Sequence, residues 1–253
     1  MIAGDLLLRP LPDIPRIAAG DDLVEIILDA AARTNEPLRD GDVLVVTQKI
    51  VSKAEGRLVD LATVVASARA RSLAGESGKD ERLVELILRE SSEILRCRPG
   101  LIIVVHRLGF ILANAGIDQS NVGHAGSVLL LPVDPDDSAA RIREGMRRKV
   151  GTDIAVLIID SMGRAWRRGT IGTAIGVSGI SALLDLHGRK DLFERKLETT
   201  ELGFADELAS AASLVMGQAD ENRPVVLVRG LSAVRQSGSA RDLLRPKEQD
   251  LFR

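Results

Sequence analysis

Two aspartates that lie far apart in the sequence are the first candidates for chemistry. Asp160 ends the apolar run IAVLIID and is followed by Ser161, whereas Asp118 lies in ANAGIDQSN, a segment of small and amide residues. Carboxylate and hydroxyl oxygens are the ligands that Mg2+ and Mn2+ prefer, and open α/β sheets bind ligands beyond the ends of their strands. The pattern indicates a divalent-metal site. The alternative is that each aspartate only stabilises a turn.

A cluster of arginines follows Asp160 directly. The segment SMGRAWRRG contains Arg164, Arg167 and Arg168 between glycines. Planar guanidinium groups bind phosphate and carboxylate oxygens well, so these arginines beside an acidic residue indicate a phosphorylated, anionic ligand. A solvated basic loop is the alternative. Trp166, the only tryptophan, is expected to anchor this loop in the core.

Other polar residues give weaker signals. Lys53, in SKAEGR, could place its ammonium group on a phosphate, and Asn121 could bind a phosphate or a base. The three histidines have no metal-ligand spacing and are expected to be structural or exposed: His106, His124 and His187. The sequence contains no Walker P-loop, G-x-G-x-x-G, H-E-x-x-H or G-x-S-x-G motif. A bound nucleotide would therefore need a less common scaffold.

The composition is that of an ordinary globular protein. Of the 253 residues, 45% are hydrophobic and 28% are charged, and the formal net charge is -2. We therefore expect no nucleic-acid partner. The single cysteine, Cys97, cannot form an internal disulfide, the N-terminal segment does not resemble a signal peptide, and the apolar runs are too short to span a membrane. These features predict a cytoplasmic protein without a membrane partner.

Predicted helices and strands alternate along the chain, which favours a mixed α/β (α+β) fold. Asp22 and Glu25 have the spacing of a capping box before an amphipathic helix. A later helix is expected to begin at Asp137 or Ser138 and to end at Gly151. Further helices are predicted over residues 80–96 and 205–217, buried strands over 43–46, 154–160 and 224–230, and a hairpin plus a loop over 101–123.

Four segments together resemble a known family. GDVLVVTQKIVSKAEGR, AGIDQSNVG, DSMGRAWRRGTIGTAIG and VRG occur in this order, and the chain from Ile14 to its C-terminus resembles the F420-0:γ-glutamyl ligase family. The resemblance implies sheets flanked by helices, two closely associated lobes and an intertwined homodimer. It also implies one ligase module over residues 1–253, without the nitroreductase-like C-terminal domain that is fused to some relatives.

The resemblance assigns roles residue by residue. A pair of divalent ions, Mg2+ or Mn2+, with K+ as a candidate further ion, would be bound by Asp118, Asp160, Ser161 and Gln218. GTP would be bound by Ile14, Pro15, Arg16, Ile17, Gln48, Lys53, Asn121, Met216 and Gly217. Gln48 stands where relatives commonly have serine, and Ser161 where many have threonine.

The implied reaction joins L-glutamate to the deazaflavin coenzyme F420-0 by way of an acyl phosphate, with GTP as cosubstrate and with further γ-linked glutamates as an option. Arg164, Arg167 and Lys53 would stabilise charge on the reacting oxygens. Two alternatives use the same residues differently. One is a metal-dependent phosphohydrolase, and the other is a non-catalytic deazaflavin-binding protein.

Overall fold

The computed structural model describes residues 2–34, 36–123, 125–231 and 237–251. His124 lies outside the described residues. The strands are β1 (Ile2–Pro10), β2 (Val43–Thr47), β3 (Leu58–Asp60), β4 (Ser91–Arg98), β5 (Leu101–His106), β6 (Ile111–Ala113), β7 (Ser127–Leu129), β8 (Ala155–Arg164), β9 (Arg167–Ser178), β10 (Leu184–Asp185), β11 (Glu201–Leu202) and β12 (Val225–Leu231). The α-helices are α1 (Leu23–Ala32), α2 (Gln48–Ala54), α3 (Ala68–Ser77), α4 (Glu81–Arg89), α5 (Pro135–Val150) and α6 (Phe204–Met216).

The five-stranded sheet organises the larger part of the molecule, in the order β1-β12-β2-β8-β9. β2 and β8 are parallel neighbours, and the other adjacent pairs are antiparallel. The central strands are apolar because helices cover the sheet, and residues 43–46 and 155–159 are all buried. The predicted mixed α/β fold and its buried strands are confirmed.

Two separate hydrophobic cores correspond to the two predicted lobes. The first contains the central strands with α1, α5 and α6. The second contains α4, β5 and β7 residues such as Val84, Ile102 and Val128. The smaller sheets are β4-β5-β6 and β3-β7, with a short β10-β11 pair elsewhere. No helix in the described part of the chain combines the length and hydrophobicity needed to cross a lipid bilayer.

Three predicted element boundaries were wrong. The helix expected over residues 80–96 ends at Arg89, because the following residues pair with β5 as strand β4. α5 begins at Pro135 with Asp134 as its cap, rather than at Asp137 or Ser138, since proline fits the first helical turn. The predicted end of α5 at Gly151 is confirmed, with a φ of 69°.

The third boundary concerns β8, which was expected to end at Asp160. It instead continues to Arg164 because it pairs with β9 along a long hairpin, from Asp160 opposite Thr173 to Arg164 opposite Arg167. Asp22 caps α1 as predicted, accepting the Val24 N–H at 2.9 Å.

Gly172 on β9 allows close packing of α6 against the sheet. A Cβ atom there would lie 2.3 Å from the Ala209 carbonyl oxygen and 2.7 Å from Ser213 Cβ. We expect Gly172→Ala to lower the free energy of unfolding by about 1–3 kcal/mol, as overpacking does. Gly163 on β8 has no neighbour within 4 Å of that position, so Gly163→Ala is the matched control in urea unfolding. Equal stability of the two variants would contradict this packing.

A buried carboxylate joins the two cores. Glu90, at 8% exposure, accepts hydrogen bonds from Arg57 at 2.9 Å and from Arg107 at 3.0 Å. Arg57 also donates to the Leu131 carbonyl at 2.8 Å. His106 accepts the backbone N–H of residue 108 at Nδ1, so its proton is on Nε2, 3.5 Å from the Glu90 carboxylate. The buried His106 is therefore structural, as predicted.

This cluster predicts acid sensitivity. Burial opposes ionisation of Glu90, yet His106, Arg107 and Arg57 together lower its pKa from 4.5 to about 2. The arginine contacts are shorter than the 3.5 Å His106 contact, so we assign most of the lowering to them. Because the folded pKa is the lower one, this stabilisation is complete above about pH 4.5 and is lost toward pH 2.

Glu90→Gln is therefore expected to lower the free energy of unfolding by about 1–3 kcal/mol at pH 7. The difference from the wild type should shrink as the pH falls below 4.5. Denaturant unfolding at pH 7, 5 and 3 measures it. A difference that stays constant over this range would contradict the depressed pKa.

Candidate functional site

The parallel pair β2 and β8 brings the first candidate residues to one edge of the sheet. Thr47, the last residue of β2, pairs with Ile159. The next residues are Gln48, which begins α2, and Asp160. Asp160 thus lies within a strand rather than at the start of a loop. Its carboxylate accepts the backbone N–H of Ser161 at 2.8 Å.

Asp118 reaches this region from the side of the second core. Its backbone pairs with Leu129 through two hydrogen bonds of 2.9 Å. Its Oδ1 accepts both the N–H and the hydroxyl of Ser120 at 2.8 Å, which is the turn-stabilising role expected as the alternative. Its Oδ2 lies 2.8 Å from Lys49 Nζ. Asp118 therefore stabilises a turn and also carries an oxygen toward the sheet edge.

The negative charge of Asp118 acts on the Asp160 carboxylate. Burial raises the pKa of Asp160 to about 6, with a further contribution from the negative charge of Asp118. Burial also opposes ionisation of Asp118, but hydrogen bonds from Lys49 and Ser120 hold its pKa below the ordinary value. A buried site with two like charges favours a cation, because a cation compensates both.

Ser161, the residue after Asp160 on β8, contacts Gln218. The Ser161 hydroxyl donates to Gln218 Oε1 at 2.7 Å, and Gln218 Nε2 donates to Ser213 Oγ at 3.0 Å. The fold therefore places the post-α6 glutamine beside Ser161. Together with Asp118 and Asp160, the site offers carboxylate, hydroxyl and amide oxygens.

These donors fit a hard divalent cation, which prefers oxygen ligands. Among the described residues, no group of three or more His, Cys, Asp or Glu side chains could hold a metal ion. The predicted ligands Ser161 and Gln218 would add a hydroxyl and an amide oxygen to the two carboxylates, and a shared ion for all four stays a prediction. The burial of Asp160 with a second carboxylate nearby is the observation that favours such an ion.

Gln48 is enclosed beside Asp160. It is 1% exposed, and its Oε1 accepts the Ser52 hydroxyl at 2.9 Å. Its Nε2 makes no hydrogen bond of standard geometry to any described residue, although the amide slightly lowers the pKa of Asp160. A buried N–H without a partner is costly, so this donor is available to a bound group.

The segments predicted to bind GTP are connected to one another. Lys53 Nζ donates to the Asn121 carbonyl at 2.7 Å, and Asn121 Nδ2 donates to the Ala219 carbonyl at 3.4 Å. Asn222 Nδ2 donates to the Ile14 carbonyl at 3.2 Å. The N-terminal segment, the loop after Asp118 and the loop after α6 therefore form one surface. Ala219 and Asn222 were not predicted, because neither residue type signals binding without its neighbours.

Cationic groups gather on this surface. Burial lowers the pKa of Lys53, and the positive charges of Lys49 and Arg16 lower it further. Pro15 and Arg16 are exposed, whereas Ile14 and Ile17 are buried, so Arg16 adds its charge to this surface. The concentration of positive charge suits a polyanionic ligand.

The loop after α6 is tightly shaped. Met216 is 5% exposed, and Gly217 has a φ of 78°. A Cβ atom at Gly217 would lie 2.1 Å from the Glu221 side chain, whose carboxylate accepts the Ala219 N–H at 2.9 Å. This position therefore favours glycine because of its positive φ, whereas the exposed Glu221 side chain could move aside.

The predicted arginines lie at the tip of the β8-β9 hairpin. Arg164 pairs with Arg167 and donates to the Gly169 carbonyl at 3.2 Å. Arg164 is four positions after Asp160 on the strand, about 13 Å between Cα atoms. Within one chain the tip therefore lies apart from the acidic site, and the catalytic roles of Arg164 and Arg167 stay predictions.

Trp166 does not anchor a loop in the core, contrary to the prediction. It is 88% exposed and adopts a φ of 65° at the hairpin turn. The segment around Trp166 is not a loop folded onto the protein. It is the end of the paired strands β8 and β9, which carry Trp166 away from the core. His187 is exposed, and Cys97 is partly exposed with its pKa raised by burial and by nearby Glu76.

Comparisons with known proteins agree on one family. Residues 13–230 match the family described as F420-0:Gamma-glutamyl ligase. A protein of Methanothermobacter thermautotrophicus named Coenzyme F420:L-glutamate ligase is 47% identical over 242 residues, covering 95% of this chain and 96% of its own. Proteins of the same name from Methanocaldococcus jannaschii and Methanopyrus kandleri are 46% and 45% identical, covering 86% and 98% of both chains.

Proposed function

Because the chain belongs to the F420-0:γ-glutamyl ligase family, we propose that it joins L-glutamate to coenzyme F420-0 in F420 biosynthesis, with GTP as the energy source. The supporting observation is the convergence of Asp118 and Asp160, 42 positions apart in the sequence, at one half-buried, acidic site. That site adjoins a cationic surface made from the predicted nucleotide-binding segments.

Asp118, Asp160, Ser161 and Gln218 would hold divalent ions, Mg2+ or Mn2+, with K+ as a candidate further ion. The bound divalent ions would neutralise charge on the triphosphate and polarise the transferred phosphoryl group. The oxygen donors of this set suit such ions. Gln48 Nε2, buried beside Asp160 without a standard hydrogen bond, could donate to a ligand oxygen there.

GTP is proposed to lie on the surface formed by the N-terminal segment, the loop after Asp118 and the loop after α6. Lys53 would bind a phosphate, Asn121 a phosphate or the base, and the segments 14–17 and 216–217 would enclose the nucleotide. The Lys53–Asn121 and Asn222–Ile14 hydrogen bonds support this placement, because they hold the segments in one arrangement before a ligand arrives.

The proposed chemistry activates a carboxylate. The γ-phosphoryl group of GTP passes to the terminal carboxylate of F420-0, so that GDP leaves and an acyl phosphate forms. The glutamate amine then attacks the acyl carbon, phosphate leaves and the amine loses a proton, giving the amide. Lys53, Arg164 and Arg167 would stabilise negative charge on the transferred and leaving oxygens. Repetition on the γ-carboxylate would add further glutamates.

We further propose a cytoplasmic homodimer. The chain exposes Leu192 at 97%, Phe193 at 78% and Trp166 at 88%, and a second copy that covered these apolar side chains would remove them from water. A second copy would also bring a further set of hairpin-tip arginines. Sedimentation velocity of the purified protein tests the dimer directly.

The central experiment incubates the protein with GTP, F420-0, glutamate and Mg2+. Ligation predicts GDP release that depends on glutamate, and a product heavier by one glutamyl unit in mass spectrometry. A phosphohydrolase would release phosphate whether or not glutamate is present. A deazaflavin-binding protein would hold F420-0 equally well in EDTA and release no GDP. Either of the last two results would reject the proposed ligase.

A further inference from the structure

Lys49 contacts a carboxylate that the proposed function assigns to metal binding. Its Nζ lies 2.8 Å from Asp118 Oδ2 and 2.9 Å from Ser120 Oγ. Both side chains of the ion pair are largely buried, with 28% of Lys49 and 20% of Asp118 exposed. The pair connects α2, which follows the central strand β2, to the loop from the second core.

An ammonium group and a divalent cation compete for the same oxygen. Asp118 Oδ1 already accepts two hydrogen bonds from Ser120, so Oδ2 is the oxygen left for a cation. Two cations in contact with one oxygen repel each other. Without a metal ion, Lys49 compensates Asp118 in a site where Asp160 is the second acidic group. A metal ion bound to Asp118 must therefore shift the Lys49 ammonium group.

We propose that Lys49 is an internal counter-ion which a divalent cation displaces from Asp118, and that the displaced ammonium group then binds an anionic oxygen arriving with the cation. This inference rests on the proposed metal site. The chemical class of that anion is a phosphate anhydride, because the proposed function supplies a nucleoside triphosphate at this site. Cation and anion would thus bind cooperatively. The cation frees the Lys49 ammonium group for the anion, and the anion brings negative charge next to the cation.

Lys53 provides the matched comparison. It lies one helical turn after Lys49 on α2, so both side chains project from one helix face. Its Nζ donates to the Asn121 carbonyl at 2.7 Å, which is a neutral acceptor. Removing Lys53 deletes the same formal charge from the same helix without freeing a carboxylate.

The test measures binding of Mn2+ alone by electron paramagnetic resonance of the free ion, in the wild type and in Lys49→Met, Lys49→Arg and Lys53→Met. Lys49→Met should bind Mn2+ more tightly by on the order of tenfold, because the ion no longer competes with an ammonium group for Asp118 Oδ2. Lys49→Arg should resemble the wild type. Lys53→Met should change Mn2+ affinity by less than about threefold, since its effect acts only at a distance.

A second measurement adds a non-hydrolysable GTP analogue. The analogue should strengthen Mn2+ binding more in the wild type than in Lys49→Met, because only the wild type has an ammonium group to offer the phosphates. Mn2+ affinity of Lys49→Met equal to or weaker than that of the wild type would overturn the inference. An equal gain in Lys49→Met and Lys53→Met would also overturn it, since it would show a general charge effect.

Failure of the inference is distinguishable from failure of the proposed function. The glutamate-dependent ligation assay on the wild type does not depend on how Lys49 behaves. A wild type that ligates glutamate, with a Lys49→Met variant that binds Mn2+ no more tightly, would reject only the counter-ion role. A wild type that binds no Mn2+ with or without the analogue would reject the metal site and this inference together.

Discussion

Asp160→Asn is expected to lower glutamate ligation by at least about a hundredfold while the protein stays folded. The substitution removes the charge of the buried carboxylate but keeps its size. Because burial holds the pKa of Asp160 at about 6, folding gains little from its charge, whereas a bound cation would depend on it. The loss should therefore appear in turnover and in Mn2+ affinity, and not in thermal unfolding followed by circular dichroism.

Asp206→Asn is a matched control for this variant. Asp206 is also a carboxylate whose burial raises its pKa, and it accepts the Ala174 N–H at 2.8 Å. It lies in the first turn of α6, whereas Gln218 follows the other end of that helix. Its backbone partner Ala174 is next to Thr173, which pairs with Asp160, so this control tests a nearby carboxylate that has no proposed metal role. Its asparagine variant should retain ligation within about threefold. Normal turnover of a folded Asp160→Asn variant would reject the assignment of Asp160.

Arg229→Leu is expected to lower the free energy of unfolding by about 3–5 kcal/mol, the range found when one partner of a buried ion pair is removed. Arg229 donates to both carboxylate oxygens of Asp42, at 2.8 and 2.7 Å, and to the Pro37 carbonyl at 2.8 Å. Asp42 is only 2% exposed. Without Arg229, its buried negative charge loses its paired cation. Urea unfolding at pH 7 measures the loss.

Two comparisons isolate the cause of this loss. Asp42→Asn combined with Arg229→Leu should recover part of the stability, because the unpaired charge is gone while the amide oxygen still accepts the backbone N–H of Arg39. Lys190→Ala breaks the exposed Lys190–Glu194 pair and should cost less than about 1 kcal/mol. A loss below about 1 kcal/mol for Arg229→Leu would show that this pair contributes no more than a surface pair.

The sequence was sufficient wherever a local pattern has one physical solution. The apolar run before Asp160 predicted a buried strand, Asp22 predicted a helix start, and Gly151 predicted a helix end, and all three are observed. Local patterns gave the wrong secondary structure where pairing with a distant strand determines the conformation. The residues after Arg89 have charged, helix-compatible composition, but pairing with β5 makes them a strand.

The candidate site, too, was predicted in part from the sequence and in part found only in the structure. Residue type alone indicated that Asp118, Asp160 and Ser161 could bind a cation, and the order of the motifs indicated the family. Only the tertiary structure brought Asp118 into contact with Lys49 on α2, at the edge of the sheet. It also placed Gln218 beside Ser161. Lys49 was not predicted because a lysine after a strand is usually a surface charge, and its partner is 69 positions away.

What the sequence determined by itself was therefore the chemistry available: which side chains can carry charge, which runs must be buried, and which family has these motifs in this order. Which of those side chains meet was decided by the tertiary structure. The physical reason is that strand pairing and packing of two cores fix distances between residues far apart in the chain, such as Asp118 and Lys49, whereas a local pattern constrains only its neighbours.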